Sequence, residues 1–219
     1  MRLPIAVAGL SLLTAPAHAA GGHFDVDDAT VLDPGRCQYE AWVVRAPAAV
    51  ATAAHLGPGC RVGPVEVGVN VDRWSVAGGN RTVLGPQLQW VVDPLVDKLS
   101  AGLAWSAFYD LSNHGRPTQT LYAPFTWWAA EKFWIHANIG LDRDAKGTRW
   151  RRQGVSGEWA ASDQFTVIVE RVKIVGDWTS RLGGRFNVSE TLSVDLSAAR
   201  FGPRGERVYV IGVNQEFAR

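Results

Sequence analysis

The sequence predicts an all-β protein, an antiparallel up-and-down transmembrane β-barrel of about twelve strands. Three observations lead to this fold class. From residue 36 onward, short segments alternate apolar residues with small or polar ones, and none keeps a helical period. The second face of these segments is often small and hydrogen-bonding rather than charged. Several of the ten Trp lie near segment ends, as the aromatic belts of a membrane barrel do.

The alternation is clearest in residues 98–111, 132–142 and 191–200. In the first of these, Leu103 and Trp105 share one face and Ser106 lies on the other. Successive side chains of a strand point to opposite sides, so two environments produce this pattern. Predicted strands cover residues 36–46, 49–57, 61–74, 81–92, 98–111, 117–128, 132–142, 148–160, 164–172, 176–187, 190–200 and 206–217. Ten strands are the alternative, because the Ala-rich second segment has a composition that also suits a helix.

A soluble β-sandwich is the main competing fold, since it also alternates apolar and polar residues. Its wet face usually carries many Lys and Glu. Here that face is often small, and the segment 98–111 shows it best: Ser100, Gly102, Ala104 and Ser106. A tight barrel interior favours such residues. We therefore prefer the membrane barrel.

The first residues have the features of a secretory signal. Arg2 supplies a positive charge, residues 3–13 form a short apolar run, and Ala17-His18-Ala19 is a small-x-small cleavage site. The run is too short for a membrane-spanning helix, which needs about 20 residues. The sequence predicts a signal peptide at 1–19, a periplasmic N-terminal segment at 20–35, a barrel domain at 36–219 and a location in the bacterial outer membrane.

The predicted turns fall into two sets that alternate along the chain. The set that includes residues 77–80, 113–116, 143–147 and 202–205 is richer in Gly and charge, which suits the outer end of a barrel. An even strand count then places both termini at the periplasmic end. Cys37 would begin the first strand and Cys60 would follow the second, so both lie at that end of neighbouring strands. Since an exported chain meets oxidising conditions, we predict a disulfide between them.

Two stretches resemble known outer-membrane barrels. Residues 27–29 and 32–40, read DDA and LDPGRCQYE, resemble the uncharacterised exported barrels related to the MetA-pathway (phenol-degradation) outer-membrane proteins. The final segment, with Tyr209, Ile211 and Phe217 on one face, resembles the last strand that the barrel-assembly machinery recognises, although two residues follow the aromatic one. The resemblance implies a carrier of small, sometimes hydrophobic, compounds and transfers no site residue.

Polar residues on the less apolar faces are the candidates for lining a lumen. They are Glu40, Glu66, Asn70, Gln87, Gln89, His136, Asn138, Arg151, Gln153 and Glu170. Such a set forms either a polar channel or an internal network that fills the barrel. Eight-stranded barrels are filled by side chains and barrels of 16–18 strands hold aqueous channels, so twelve strands leave both possibilities open.

Other chemistry is weakly represented. His136, Asn138 and Ser106 are the residue types of a hydrolase site, but no Gly-x-Ser-x-Gly motif accompanies them. His23 and the Asp residues of 25–28 have donor atoms that could bind a metal ion. Short acidic segments of this kind are, however, more often simply solvated. No phosphate loop, CxxC or HExxH occurs, so no cofactor is expected. Lys and Arg number 22 against 21 Asp and Glu, which does not suggest a nucleic-acid partner.

The function expected from the sequence is passage or binding of a small solute across the outer membrane, without enzymatic activity. A non-conducting structural or adhesion barrel is the first alternative, and an outer-membrane hydrolase is the second. The expected partners are outer-membrane lipid and lipopolysaccharide, the barrel-assembly machinery and a small solute. The charged run at residues 149–152 would either face the lipopolysaccharide or pair inside the barrel.

Overall fold

Twelve antiparallel strands close into a single barrel in the computed structural model, which describes residues 22–47, 51–76, 79–112 and 115–219. The strands are β1 (Arg36–Ala46), β2 (Ala51–Val62), β3 (Val65–Val76), β4 (Gly79–Val96), β5 (Leu99–Asp110), β6 (Thr118–Ala130), β7 (Phe133–Arg143), β8 (Arg149–Ala160), β9 (Phe165–Ile174), β10 (Asp177–Asn187), β11 (Leu192–Phe201) and β12 (Glu206–Ala218). Each strand pairs with the next, and β1 pairs with β12 to close the barrel. The predicted fold class is thereby confirmed. No helix of membrane-spanning length and apolarity occurs in the described part of the chain.

The second segment, for which the sequence left a helix open, is a full strand of the barrel. β2 pairs over most of its length with β1 on one side and with β3 on the other. Alanine has a weak preference for β-strands. Here, however, the backbone N–H and C=O groups of β2 form hydrogen bonds alternately with β1 on one side and with β3 on the other. The strand count is therefore twelve, and the alternative of ten is wrong.

Both ends of the barrel chain lie at one rim, which we call the terminal end. Arg36 is in register with Ala218, and the amide of Arg219 donates to the carbonyl of Gly35 at 2.8 Å. The connections after β1, β3, β5, β7, β9 and β11 lie at the opposite rim, which we call the far end. Residues 1–19, the predicted signal peptide, lie outside the described residues.

The two faces of the wall differ as the alternation predicts. On β7, Ile139 and Leu141 point outward and are about half exposed, while His136, Asn138 and Asp142 point inward and are buried. Leu103, Val169 and Leu182 continue the apolar outer surface on other strands. An apolar outside with a polar inside is the arrangement that a barrel in lipid requires.

The predicted disulfide is confirmed. Cys37 and Cys60 are bridged, and they are register partners of β1 and β2 with Cα atoms 4.0 Å apart. Cys60 lies within β2 rather than after it, because β2 continues to Val62. The bridge is near the terminal end, where it joins the strand that closes the barrel to its neighbour.

The N-terminal segment has a position that the sequence did not predict. Residues 22–35, which we call the inner segment, were expected in the periplasm, but they lie inside the barrel. Phe24, Val26, Ala29 and Leu32 are all buried there. The expected location in the periplasm is therefore corrected. The segment can lie inside because side chains of the barrel interior form the hydrogen bonds that its backbone would otherwise make with water.

Candidate functional site

The inner segment follows the inside of the wall from strand to strand. Its backbone and side chains contact Glu66 of β3, Gln89 of β4, Thr126 of β6, Asn138 of β7, Glu170 of β9, Arg181 of β10, Ser197 of β11 and Glu40 of β1, in that order from Leu32 back to Gly22. The segment therefore forms a ring that rises from the terminal end to the middle of the barrel.

The dimensions of the barrel agree with a single turn. Twelve strands about 4.8 Å apart and tilted by about 40° give a backbone radius of about 12 Å. A path about 5 Å inside that wall has a circumference of about 44 Å. The 14 residues from 22 to 35 span at most about 48 Å when extended. One circuit therefore uses nearly the whole segment.

Asn138 holds the middle of the ring by its side-chain amide. The amide of Asp27 donates to Asn138 Oδ1 at 2.9 Å, and Asn138 Nδ2 donates to the carbonyl of Asp27 at 2.8 Å. This pair of bonds copies the way two strands exchange hydrogen bonds. The hydroxyl of Tyr122 also donates to the Asp27 carboxylate. Asp27 is thus held by both its backbone and its side chain.

A second anchor is built on a charged pair between β9 and β10. Arg181 Nε donates to Glu170 Oε1 at 2.7 Å, and Arg181 Nη2 donates to Asp25 Oδ2 at 2.7 Å. Glu170 in turn accepts the amides of Asp25 and Val26 at 3.0 Å. These charge-assisted bonds are stronger than neutral ones, and the ion pair offers a cation to the Asp25 carboxylate and a carboxylate to the backbone amides of the inner segment.

Apolar contacts complete the packing of the inner segment. Val26 and Phe24 pack against Gly154 of β8 and Gly183 of β10. A Cβ atom at Gly154 would lie 2.8 Å from Val26, and one at Gly183 would lie 2.9 Å from the Phe24 ring. Real Cβ atoms do not approach so closely, so these two positions require glycine while the segment is in place.

Burial shifts the pKa values of two side chains of the inner segment, His23 and Asp27. Burial, reinforced by the charge of Arg181, lowers the pKa of His23 to about 4. Burial raises the pKa of Asp27 to about 6, against the hydrogen bond from Tyr122. Both shifts favour the uncharged form, which is the expected response of a group held away from water.

A cavity of about 100 Å³ remains beside the inner segment. Its lining is acidic and amide-rich and consists of Asp27, Asp28, Thr30, Gln38, Glu40, Glu66, Gln87, Leu88, Gln89, Ala104, Trp105, Ser106 and Tyr122. Pockets for organic ligands usually measure about 300–1,000 Å³. With the inner segment in place, this space therefore has room for a few waters or an ion but not for a large solute.

The structure gives each predicted lumen residue a place. Eight of the ten point inward, namely Glu40, Glu66, Asn70, Gln87, Gln89, His136, Asn138 and Glu170. Glu40, Glu66, Gln89, Asn138 and Glu170 hydrogen-bond to the inner segment. Asn70 and Gln87 bond to each other at 2.8 Å. Bonds to the inner segment thus account for half of the predicted set.

The predictions for Arg151 and Gln153 are wrong. Arg151 is the register partner of Leu141 and Gln153 that of Ile139, and both partners belong to the apolar outer surface. Arg152 is the inward residue, and it pairs with Asp142 at 3.5 Å. Three arginines in four residues occupy both parities, so the local pattern could not show which of them faces the lumen.

Other inward charges were missed altogether. Arg181 and Arg185 of β10, Glu158 of β8 and Asp195 of β11 are buried inside the barrel, and Arg185 Nε donates to Asp195 at 2.8 Å. The alternation along β10 could have located the two arginines. Leu182 and Phe186, each the next residue after one of the arginines, are large apolar side chains that point outward, so Arg181 and Arg185 must point inward.

Residues 8–214 match the family described as Uncharacterised conserved protein UCP029691. The chain belongs to this family. Structures with the same barrel fold include a KdgM porin, at TM-score 0.63 and 11% identity over 83% of this chain and 99% of that one. A NanC porin is similar at TM-score 0.60 and 10% identity, over 82% of this chain and 98% of that one. The sequence matches none of the curated proteins.

The resemblance to the MetA-pathway (phenol-degradation) proteins receives no support from these comparisons, which support only the broader prediction of an uncharacterised outer-membrane type of barrel. The family match and the porin neighbours do not link this UCP029691 member to that group. The stretch that suggested it, a glycine followed by Gln38-Tyr39-Glu40, is short enough to recur by chance. The twelve-stranded architecture was nevertheless predicted independently of it, from the alternation.

The residues considered for hydrolysis have other partners in this UCP029691 member. His136 Nδ1 hydrogen-bonds with Thr126 at 2.9 Å, and Asn138 is engaged by the inner segment. Within the described residues, no group of three or more His, Cys, Asp or Glu has a geometry that could hold a metal ion. His23 instead bonds to Ser197 at 2.7 Å.

Proposed function

We propose that this protein is an outer-membrane channel for small solutes, narrowed from within by its inner segment. The observation that carries the proposal is the closed twelve-stranded wall, apolar outside and polar inside. A wall of this kind satisfies all backbone groups without water and encloses a polar path through lipid.

The structural neighbours support the same role. Both KdgM and NanC are porins, and one KdgM structure holds a disordered oligogalacturonate. At 10–11% identity the likeness shows a shared fold and does not identify the solute of this chain. In our proposal the solute here is smaller, because the inner segment takes up space in the lumen and the cavity beside it measures about 100 Å³.

The proposal includes the address and the partners that the sequence suggested. An N-terminal signal would direct the chain across the inner membrane, and the last strand, with Tyr209, Ile211 and Phe217 outward, would be recognised by the barrel-assembly machinery. Outer-membrane lipid and lipopolysaccharide would surround the wall. We assign no catalytic role and no cofactor.

Conductance of the purified protein in planar bilayers tests the proposal. The mature chain is compared with a variant lacking residues 22–32, and Asn80→Ala at the exposed far end is the control. We expect ion conductance that rises in the deletion variant, since removing the segment widens the lumen. All three proteins must first show the mobility shift on boiling that marks a closed barrel.

A non-conducting barrel is the second candidate, and the packing of the inner segment favours it. Val26 and Ala29 are almost completely buried inside the lumen. If neither the mature chain nor the deletion variant conducts although both are folded, the channel proposal fails and the structural barrel stands. Conductance by the deletion variant alone supports a channel that the inner segment keeps closed.

A further inference from the structure

The outer surface of the barrel carries charge of one sign, at one end. By the strand register, the charged residues that point outward from the described strands are all basic: Arg45, Arg73, Arg143, Arg149, Arg151, Arg171, Lys173, Arg200 and Arg207. All of them lie toward the far end. The carboxylates of the same strands point inward, as Glu158, Glu170 and Asp195 do.

Three of these arginines surround a groove in the outer wall. Arg200 of β11 is the register partner of Arg207 of β12. Two residues further along these strands, Tyr209 of β12 lies between Ala198 of β11 and Arg45 of β1, its two register partners. Two adjoining depressions of about 460 and 580 Å³ meet here and share Leu182, Ala198 and Tyr209.

The groove is apolar along its length and basic at its upper end. The small side chain of Ala198 lies among larger ones, and this difference in size creates the depression. Val43, Leu182, Leu196, Tyr209 and Ile211 form the walls, and Arg45, Arg200 and Arg207 lie at the end nearest the far rim. An apolar channel that ends in cations is complementary to an acyl chain attached to an anion.

The three arginines of the groove, Arg45, Arg200 and Arg207, are not paired with carboxylates in the described part of the chain. Like charges directly opposite each other on neighbouring strands, such as Arg200 and Arg207, destabilise a sheet. An anion between them removes this repulsion.

We infer that the groove binds a phosphorylated glycolipid of the leaflet at the far end. The acyl chain lies over Ala198, and a headgroup phosphate lies among Arg45, Arg200 and Arg207. Guanidinium groups bind phosphate through paired hydrogen bonds, and they are less strongly hydrated than ammonium groups. This inference rests on the proposed location in an outer membrane and is independent of whether the barrel conducts.

Native mass spectrometry of the purified barrel with bis-phosphorylated lipid A tests the site. The double variant Arg200→Gln/Arg207→Gln is compared with Arg149→Gln/Arg151→Gln, which removes two outward arginines from the same end but away from the groove. Each arginine near a charged lipid surface contributes roughly fivefold in affinity, so the first variant should bind about 25-fold more weakly. The second should stay within about threefold of the unmodified protein.

Two further measurements separate the groove from general charge. Ala198→Phe fills the floor and should weaken lipid A binding by about tenfold although every arginine remains. Dephosphorylated lipid A should bind the unmodified protein as weakly as lipid A binds the double variant. Inorganic phosphate alone should not compete at millimolar concentration, because it cannot occupy the apolar part.

Several results would overturn the inference. Equal loss in the two double variants would show a diffuse basic belt in place of a site. Unchanged binding in Arg200→Gln/Arg207→Gln or in Ala198→Phe would remove the groove from consideration, and effective competition by phosphate would show a free-anion site. A mobility shift on boiling for every variant keeps loss of folding apart from loss of binding. Absent conductance with intact lipid binding would refute the channel alone.

Discussion

Asn138→Ala is the change that most directly tests how the inner segment is held. The side chain of Asn138 is buried and makes two hydrogen bonds to the backbone of Asp27, at 2.9 and 2.8 Å. Alanine makes neither bond and leaves the amide and carbonyl of Asp27 without that partner. The barrel wall itself remains paired, because Asn138 takes part in the strands through its backbone.

The expected size of the effect follows from the two bonds. A hydrogen bond in a folded protein contributes about 1 kcal/mol net, so the loss of both costs about 2 kcal/mol. Since 1.4 kcal/mol is a factor of ten, release of the inner segment should become roughly 30-fold more frequent. Amides of residues 22–32 exchange with solvent deuterium through such release, and their exchange should accelerate by the same factor.

Hydrogen–deuterium exchange in detergent micelles, read by mass spectrometry on the N-terminal peptides, measures this acceleration. Asn80→Ala is the matched control, because Asn80 is exposed at the far end and its side chain accepts a hydrogen bond from the nearby Ser75 at 2.8 Å. Exchange in Asn138→Ala within about threefold of the unmodified protein would refute the reasoning. The inner segment would then be held by its charged and apolar contacts without a contribution from this amide.

Three further predictions concern neighbouring features. Arg152→Gln removes an inward ion pair and should lower the free energy of unfolding of the barrel by about 2 kcal/mol. Arg151→Gln, on the outer face, should change it by under about 0.5 kcal/mol. Urea titrations measure both values, and equal values would contradict the assigned faces. Replacing both Cys37 and Cys60 by serine removes a cross-link over 23 residues and should cost about 3 kcal/mol, seen as a lower temperature for the mobility shift; an unchanged temperature would argue against the bridge. Gly154→Val places methyl groups where the inner segment packs and should raise its susceptibility to added protease, whereas undiminished protection would show that the segment repacks without cost.

Much of the barrel could be predicted from the sequence. The first strand was predicted at 36–46 and is observed at Arg36–Ala46, and β7 and β11 differ from their predictions by at most two residues at either end. Alternation is local, because each residue faces one of two environments and its neighbours face the other. The largest difference is at β2, which ends at Val62 and not at the predicted residue 57. Another is at the end of β4. This strand runs to Val96 beyond the predicted end at 92, since a bulge lets the strand continue past a proline.

The interior was predicted less well than the wall. Glu40 and Glu170 were named as inward residues, and both point inward, but the partner that they bind was not foreseen. The apolar residues Phe24 and Val26 gave a signal, because two buried-type side chains two positions apart in an otherwise polar stretch have little reason to be solvated. Nothing local says that their binding surface is on β8 and β10.

The sequence by itself determined that the chain forms a closed sheet, where its strands run and which two cysteines are joined. These properties follow from a two-residue period and from the pairing of adjacent strands, and both are encoded over a few residues. The tertiary structure alone decided which arginine of the run 149–152 enters the lumen, that residues 22–35 circle the interior, and that three outward arginines converge on Ala198. Those properties depend on register across strands that are far apart in the chain, and a one-residue difference in register exchanges the two faces.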